Sequence, residues 1–152
     1  MKKLSAIVAS LLAVSAITAT QVAMAVPLPE NTLIRLHCPD TKNHGAEKIT
    51  NYGTVLSGTG TERVGANPTI FPLFSSAVQD TDNIPADLST ARYQNSGTSY
   101  DPNTGVVSCQ YKSSLNFGPF TLTKQVNNGV GGVVTKSSKD EIAFLISVGL
   151  KK

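Results

Sequence analysis

The sequence has little of what nucleic-acid-binding proteins and many hydrolases display. Its 152 residues include no tryptophan, two cysteines and two histidines, and charged residues make up 15% of the chain. It has no run of basic residues and no stripe of arginine interleaved with aromatic residues, so we do not expect nucleic acid as a partner. The G-x-S-x-G pattern that positions the nucleophilic serine of many hydrolases is also missing. These absences turn attention to compartment and fold class.

The first 25 residues have the features of a secretory signal peptide. Lys2 and Lys3 precede an apolar, alanine-rich stretch from Leu4 to about Ala19, and Ala23-Met24-Ala25 has the small-x-small pattern of a cleavage site. The apolar stretch is too short and too rich in serine, threonine and alanine for a stable membrane span. We predict cleavage after Ala25 and export to the periplasm or beyond, as a chain that does not span the membrane.

Removal of the leader changes the charge balance and leaves one domain. The full chain has 13 cationic and 10 acidic side chains, and losing Lys2 and Lys3 leaves 11 cationic against 10 acidic, a formal charge of about +1. We predict that residues 26–152 form a single domain, since their number suits one hydrophobic core. Their richness in threonine, serine, asparagine, glycine and valine is typical of a small β domain with many turns.

Two alternating stretches each carry one cysteine. A period of two places Cys38 on the inward face of one predicted strand, beside Leu36. It places Cys109 on the inward face of another, between Val107 and Tyr111. Pairing is the default in an exported chain with an even number of cysteines, so we predict a Cys38–Cys109 disulfide between neighbouring strands. Closing a loop of about 70 residues would stabilise the fold by roughly 4 kcal/mol.

Turn signals separate the strand-like stretches. The segment Asp101–Gly105 is typical of a hairpin turn, and Asn128-Gly129 of a two-residue type I′ turn. Pro72 interrupts the most apolar internal stretch and favours an edge strand or a bend there. Residues 142–150 alternate, but the capping-box pattern at Ser138–Glu141 also suits a short helix. We predict an all-β fold, a small antiparallel sandwich or barrel with one disulfide, whose C-terminal segment is a strand or a short helix.

Both histidines fall in one eleven-residue window that also holds two acids. The four residues are His37, Asp40, His44 and Glu47. Imidazole and carboxylate are ligands that zinc and copper use, so this set is a candidate metal site. The spacing matches no established metal motif, however, and solvated loop residues beside a disulfide explain the same pattern. We therefore expect no cofactor, and the absence of a convergent catalytic set favours a protein that is not an enzyme.

The segment Ser89-Thr90-Ala91-Arg92-Tyr93 resembles the Ser-Gly-Ala-Arg/Lys-Tyr stretch of the periplasmic C-type lysozyme inhibitors. These are small exported β-barrels that insert a loop into the lysozyme cleft. The resemblance implies an inhibitor loop that includes Tyr93, with Ser89 and Arg92 facing the cleft. Thr90 stands where the family has glycine, and the tryptophan-containing segment expected downstream is absent. The alternative interpretation is an ordinary polar strand over residues 88–94.

The placement of the cysteines resembles a second group of proteins. An early Cys38-Pro39 and a late Cys109-Gln110-Tyr111 are similar to small two-cysteine secreted bacterial domains of unknown function. This resemblance spans most of residues 26–152 and implies no activity. From the sequence we expect an exported binding or interaction module for an unknown protein or small ligand. The alternative is an inhibitor of a lysozyme-like or other envelope or host hydrolase.

Overall fold

The structure is a computed structural model that describes residues 29, 31–41, 49–76, 83–88, 90–126 and 130–146. The predicted signal peptide and the predicted Asn128-Gly129 turn lie outside these ranges. The described residues form ten β-strands: β1 (Thr32–His37), β2 (Thr50–Asn51), β3 (Leu56–Thr59), β4 (Thr61–Val64), β5 (Leu73–Ser75), β6 (Tyr93–Asp101), β7 (Val106–Ser113), β8 (Phe120–Gln125), β9 (Gly132–Ser137) and β10 (Glu141–Ile146). The described part of the chain contains no helix long and apolar enough to cross a membrane.

The strands form two antiparallel sheets. The four-stranded sheet has the order β4-β1-β10-β9, and the six-stranded sheet has the order β2-β3-β5-β8-β7-β6. In the first sheet, β1 pairs along its whole length with β10, from Thr32↔Ile146 to His37↔Glu141. In the second, β6, β7 and β8 form a meander of long strands, whose β6–β7 pairing shifts register once, between Asn95 and Gly97. The predicted all-β class with antiparallel sheets is confirmed.

The two sheets pack face to face around one hydrophobic core. The alternation predicted for β1 is confirmed, because Ile34 and Leu36 are buried while His37 is exposed. Between the sheets, the Tyr100 ring of β6 stacks on the Phe144 ring of β10 with 4.1 Å between their centroids. Each fully buried aliphatic or aromatic side chain stabilises the fold by about 1.5–3 kcal/mol. The fully buried side chains include Tyr111, Phe74, Phe144, Ile34, Leu36, Leu56, Leu122, Ile142 and Val107.

The Cys38–Cys109 disulfide joins the two sheets. Its Cα atoms are 5.8 Å apart, and Cys38 follows β1 of the four-stranded sheet whereas Cys109 lies within β7 of the six-stranded sheet. The predicted pairing is confirmed, but the placement of the two strands as neighbours is wrong. Alternation defines only which face a cysteine occupies. Two inward faces meet across a sandwich as readily as two neighbouring strands meet within one sheet.

The C-terminal segment is a strand, β10, and the capping-box pattern is part of a hairpin turn. The Ser138 N–H donates to the Glu141 carbonyl oxygen at 2.8 Å. The Glu141 N–H in turn donates to Ser138 Oγ at 3.0 Å. A serine hydroxyl that accepts a backbone N–H three residues later is the contact that begins many helices. Here the same contact closes the β9–β10 turn, because the residues that follow it form a strand paired with both β9 and β1 rather than a helix.

Pro72 favoured an edge strand or a bend, and the edge strand is the wrong alternative for the strand that follows it. β5 lies between β3 and β8, inside the six-stranded sheet. Pro72 itself precedes β5, so its missing N–H takes no hydrogen bond away from the ladder. The pairing of β5 with β8 consists of Ser75↔Thr123 alone. A strand with so short a ladder tolerates an adjacent proline without being at the edge.

Gly60 lets the chain pass from one sheet to the other without a loop. β3 of the six-stranded sheet ends at Thr59, and β4 of the four-stranded sheet begins at Thr61. A Cβ atom on Gly60 would overlap the His37 carbonyl oxygen and lie 2.6 Å from a ring atom of Phe74. The close approach of the two sheets at this point therefore requires glycine.

Gly60→Ala should destabilise the protein by roughly 1–3 kcal/mol, the usual cost of overpacking an interior. The new methyl group has to displace the His37 backbone, which chemical denaturation will register as a lower midpoint at unchanged slope. The matched control is Gly97→Ala in β6, where the nearest neighbour of the added Cβ is Gln110 Oε1 at 3.5 Å. Equal midpoints for the two variants would contradict the assigned role of Gly60.

Cys109→Ala should cost about 2–5 kcal/mol, because it removes both a covalent loop constraint and a fully buried side chain. Urea unfolding of the oxidised protein measures the loss. The Cys38→Ala variant and the double variant are the controls, and all three should lose the same constraint without adding their costs. Thiol titration should find no free cysteine in the native protein until it is denatured and reduced. Two thiols that react readily in the native protein would contradict the bridge.

Candidate functional site

A cleft of about 610 Å³ opens beside the disulfide. Both sheets contribute to it, through the end of β1, the beginnings of β4 and β6, and the β9–β10 turn. Among the described residues, the lining side chains other than the cysteine are polar or charged, and none is a phenylalanine, tyrosine or tryptophan. The lining residues are His37, Cys38, Asp40, Thr41, Thr61, Gln94, Asn95, Ser138, Lys139 and Asp140.

The segment Cys38–Thr41, which follows β1, forms the floor of the cleft and is held against the six-stranded sheet. In addition to the disulfide, the Tyr111 hydroxyl donates to the Pro39 carbonyl oxygen at 2.9 Å. The Thr41 hydroxyl donates to the Tyr93 carbonyl oxygen at 2.7 Å, and this contact is buried. Hydrogen bonds out of contact with water are costly to break, because they would leave buried carbonyl groups unsatisfied. The floor is therefore rigid.

Tyr111 remains a hydrogen-bond donor over the physiological pH range. Burial raises the pKa of its hydroxyl, since the interior disfavours the phenolate, and the nearby charge of Asp40 raises this pKa further. The proton that the hydroxyl keeps is the one donated to Pro39. Asp40, in the same segment, thus reinforces the hydrogen bond from Tyr111 that fixes the floor of the cleft.

The β9–β10 turn forms one wall and is tied to strands of both sheets. The Cys38 N–H donates to the Asp140 carbonyl oxygen at 2.8 Å. From β6, the Thr98 hydroxyl donates to the Ser138 carbonyl oxygen at 2.8 Å. Within the turn, the Ser138 hydroxyl donates to Asp140 Oδ1 at 3.0 Å. The carboxylate of Asp140 is therefore held in a defined direction at the rim of the cleft.

Asn95 contributes a carboxamide with a buried nitrogen to the wall of the cleft. It lies in β6 where the pairing with β7 changes register between Asn95 and Gly97, so Ser96 is the extra residue of a bulge. The Asn95 carboxamide lies close enough to the Tyr111 hydroxyl to oppose the rise of its pKa. Even so, Nδ2 is inaccessible to water and forms no hydrogen bond of acceptable geometry with the described residues. A buried polar group left unsatisfied costs about 1–3 kcal/mol, and bulges are common beside functional sites.

His37 lies close to a carboxylate of β10. Its Nε2 lies 3.9 Å from Glu141 Oε2, which also accepts a hydrogen bond from Lys136 Nζ at 2.6 Å. The hydrogen bond from Lys136 lowers the pKa of Glu141, partial burial opposes that effect, and the positive fields of His37 and Arg35 lower it further. Glu141 is consequently ionised at neutral pH and balances more than one cation.

The predicted metal set is only partly placed. His37 and Asp40 line the same cleft, whereas His44 and Glu47 lie outside the described residues. Over the ranges that the structure covers, no group of three or more histidine, cysteine, aspartate or glutamate side chains lies close enough together to hold a metal ion. The four-residue site therefore stays a prediction.

The residues of the predicted inhibitor loop differ in exposure. Arg92 is exposed and lies in a turn at residues 90–92, with φ of 50°, so the strand predicted from residue 88 is wrong before Tyr93. Tyr93 is 4% exposed, and its hydroxyl donates to the Gly118 carbonyl oxygen at 2.6 Å. Ser89 lies outside the described residues. Of the two residues that the structure describes, Arg92 has its side chain at the surface and Tyr93 is buried.

Several lining residues gave no signal in the sequence. Thr41, Asn95 and Asp140 each lie about 50 positions from the next in the chain, which is farther than any local sequence pattern extends. One signal was present, because Gly97 is an isolated glycine in the β6 stretch and such a glycine in a strand suggests a bulge. That signal locates the irregularity of β6, but it does not indicate what the bulge faces.

Comparisons of the chain with known protein families, curated proteins and solved structures find no significant match. Both resemblances suggested by the sequence therefore stay predictions. The fold and the site together define a class, an all-β sandwich with an inter-sheet disulfide and a polar cleft beside it. Its function has to be inferred from that geometry.

Proposed function

We propose that this protein is an exported binding domain that holds a polar group of a partner protein or small ligand in the cleft beside the Cys38–Cys109 disulfide. The observation that carries the proposal is the polar lining of this cleft, to which the end of β1, the beginning of β6 and the β9–β10 turn all contribute. A ligand with complementary polar groups forms hydrogen bonds with this lining, so that neither side is left unpaired on binding. A disulfide is compatible with an oxidising, exported location.

The lining chemistry favours a ligand with both hydrogen-bond donors and acceptors. Lys139 supplies donors, while the carboxylates of Asp40 and Asp140 supply acceptors. Peptide groups and hydroxylated small molecules carry both kinds of group. Because the floor and the β9–β10 turn are already fixed by hydrogen bonds, little ordering accompanies binding, which favours affinity.

The serine and the histidine of the cleft favour binding over catalysis. A serine nucleophile needs a base within hydrogen-bond reach. The Ser138 hydroxyl instead donates to Asp140 Oδ1 and accepts the Glu141 N–H, so both contacts serve its own turn. In the described structure, the ionic neighbour of His37 is Glu141 at 3.9 Å. With these contacts, Ser138 and His37 fix the local structure of the cleft rather than forming a nucleophile and its base.

Asn95→Ala should weaken ligand binding, because it removes a polar side chain from the wall of the cleft. The exported protein is used to capture components from an envelope extract and to screen small peptides and sugars, and the dissociation constant of the best ligand is then compared. We expect at least a tenfold loss in the variant, equivalent to about 1.4 kcal/mol. Asn67→Ala, in the exposed turn after β4, is the matched control and should bind normally. Equal affinities for both variants would disprove the assignment of the cleft.

Arg92 supports a second candidate, inhibition of a lysozyme-like hydrolase. A non-glycine residue with positive φ is uncommon, costs of order 1–3 kcal/mol and is found preferentially at functional positions. Here that conformation presents an exposed guanidinium on a tight turn at the beginning of β6. A guanidinium at such a position suits a carboxylate in the cleft of a hydrolase.

This second candidate is tested with Arg92→Gly, which removes the guanidinium and suits the positive φ, so the fold should be retained. The wild-type protein should slow the lysis of bacterial cell walls by lysozyme, and the variant should relieve that inhibition. Lys112→Ala, an exposed cation on β7, is the control for the loss of one charge. Full lysozyme activity in a large molar excess of the wild-type protein would rule this candidate out.

A further inference from the structure

Two arginines face each other across neighbouring strands on the outer surface of the four-stranded sheet. Arg35 of β1 and Arg63 of β4 are direct partners in the antiparallel register, and both side chains are exposed. Cross-strand partners have Cβ atoms about 4.5–5.5 Å apart, and like charges in that arrangement are destabilising. The pair is therefore unfavourable in the free protein unless something negative binds to it.

The same row of the sheet offers the arginines no compensating carboxylate. Arg35 pairs with Ala143 of β10, which pairs in turn with Lys136 of β9, so three of the four positions across the sheet are cationic. The carboxylate in the next row, Glu141, accepts a hydrogen bond from Lys136 at 2.6 Å. Glu141 also interacts electrostatically with Arg35. Even so, no carboxylate among the described residues forms an ion pair with either arginine.

A depression of about 210 Å³ lies at the arginine pair. It is lined by Leu33, Arg35, Arg63 and Gly65. Gly65 has φ of 55°, and its N–H donates to the Leu33 carbonyl oxygen at 2.8 Å, which fixes the turn after β4. A Cβ on Gly65 would have Thr32 Cγ2, at 3.8 Å, as its nearest neighbour, so the space beside Arg63 is open. The depression thus combines two guanidinium groups with a fixed backbone and free volume.

We propose that Arg35 and Arg63 bind a phosphate group, a dianionic tetrahedral oxyanion, on this face of the sheet. Two guanidinium groups supply two positive charges and forked donors that match the paired oxygens of a phosphate. A single carboxylate would neutralise one arginine and leave the other unbalanced. This proposal rests on the register pair and the depression, and it does not depend on the ligand of the cleft beside the disulfide.

Thermal unfolding and titration calorimetry of the exported protein test the site with inorganic phosphate. Sodium chloride at matched ionic strength is the reference, because general screening also relieves repulsion between like charges. At 10 mM phosphate the wild type should unfold about 2–4 °C higher than in chloride, since a ligand that binds only the folded state stabilises it. Arg63→Gln should lose this phosphate-specific increase and bind phosphate at least tenfold more weakly.

The sign of a second effect separates binding from damage to the fold. In phosphate-free buffer, Arg63→Gln should unfold at the same temperature as the wild type or higher, because the substitution removes the repulsion. Lys112→Gln on β7 is the control and should keep the full response to phosphate. The proposal is overturned if phosphate stabilises the wild type no more than chloride does, or if Arg63→Gln retains the response.

Sedimentation with lipid vesicles identifies the source of the phosphate group. Binding to phosphatidic acid vesicles that is absent with phosphatidylcholine vesicles and is lost in Arg63→Gln supports the site and identifies a lipid headgroup as its ligand. Phosphate-specific stabilisation without vesicle binding supports the site with a soluble phosphate as its ligand.

Discussion

The disulfide between Cys38 and Cys109 is the constraint on which the arrangement of the two sheets depends. It attaches the end of β1 to the middle of β7, across the interior of the sandwich. Tyr111, two residues further along the same face of β7, donates to the Pro39 carbonyl oxygen. One covalent bond and one buried hydrogen bond therefore hold Cys38 and Pro39, which directly follow β1, to Cys109 and Tyr111 of β7. The cleft lies beside this attachment.

Two features of the surface share a physical character, because each is a local cost that the free protein bears. Arg92 adopts a positive φ, and Arg35 faces Arg63 across neighbouring strands. A continuous core and an inter-sheet disulfide supply enough stability to tolerate such costs. Local costs that persist in a folded protein are found preferentially at functional positions, where a ligand offsets them. These two costs, on the turn before β6 and on the outer face of one sheet, direct the functional proposals for Arg92 and for the arginine pair.

Much of the fold was predictable where strands alternate between buried and more exposed positions, as β1 and β7 do. The patterns around Leu36 and Val107 identified their inward faces correctly, and the segment Asp101–Gly105 forms the predicted turn. In that turn Asp101 Oδ1 accepts the Asn103 N–H at 2.9 Å, and Gly105 adopts φ of 71°. Prediction was weaker where strands are short, since two to four residues contain too little alternation to define a period. β5, beside Pro72, is a three-residue strand at which that weakness produced an error.

The sequence by itself determined the all-β class, the inward faces of the long strands and the identity of the two bonded cysteines. Each of these follows from a pattern within a few residues, or from a chain that has only two cysteines to pair. The tertiary structure alone decided that the bond crosses between sheets, that His37 lies beside Glu141, and that Asn95 faces a cleft. These outcomes depend on strand order and register over the whole chain. Local alternation says which face a side chain occupies, but not which distant strand that face will meet.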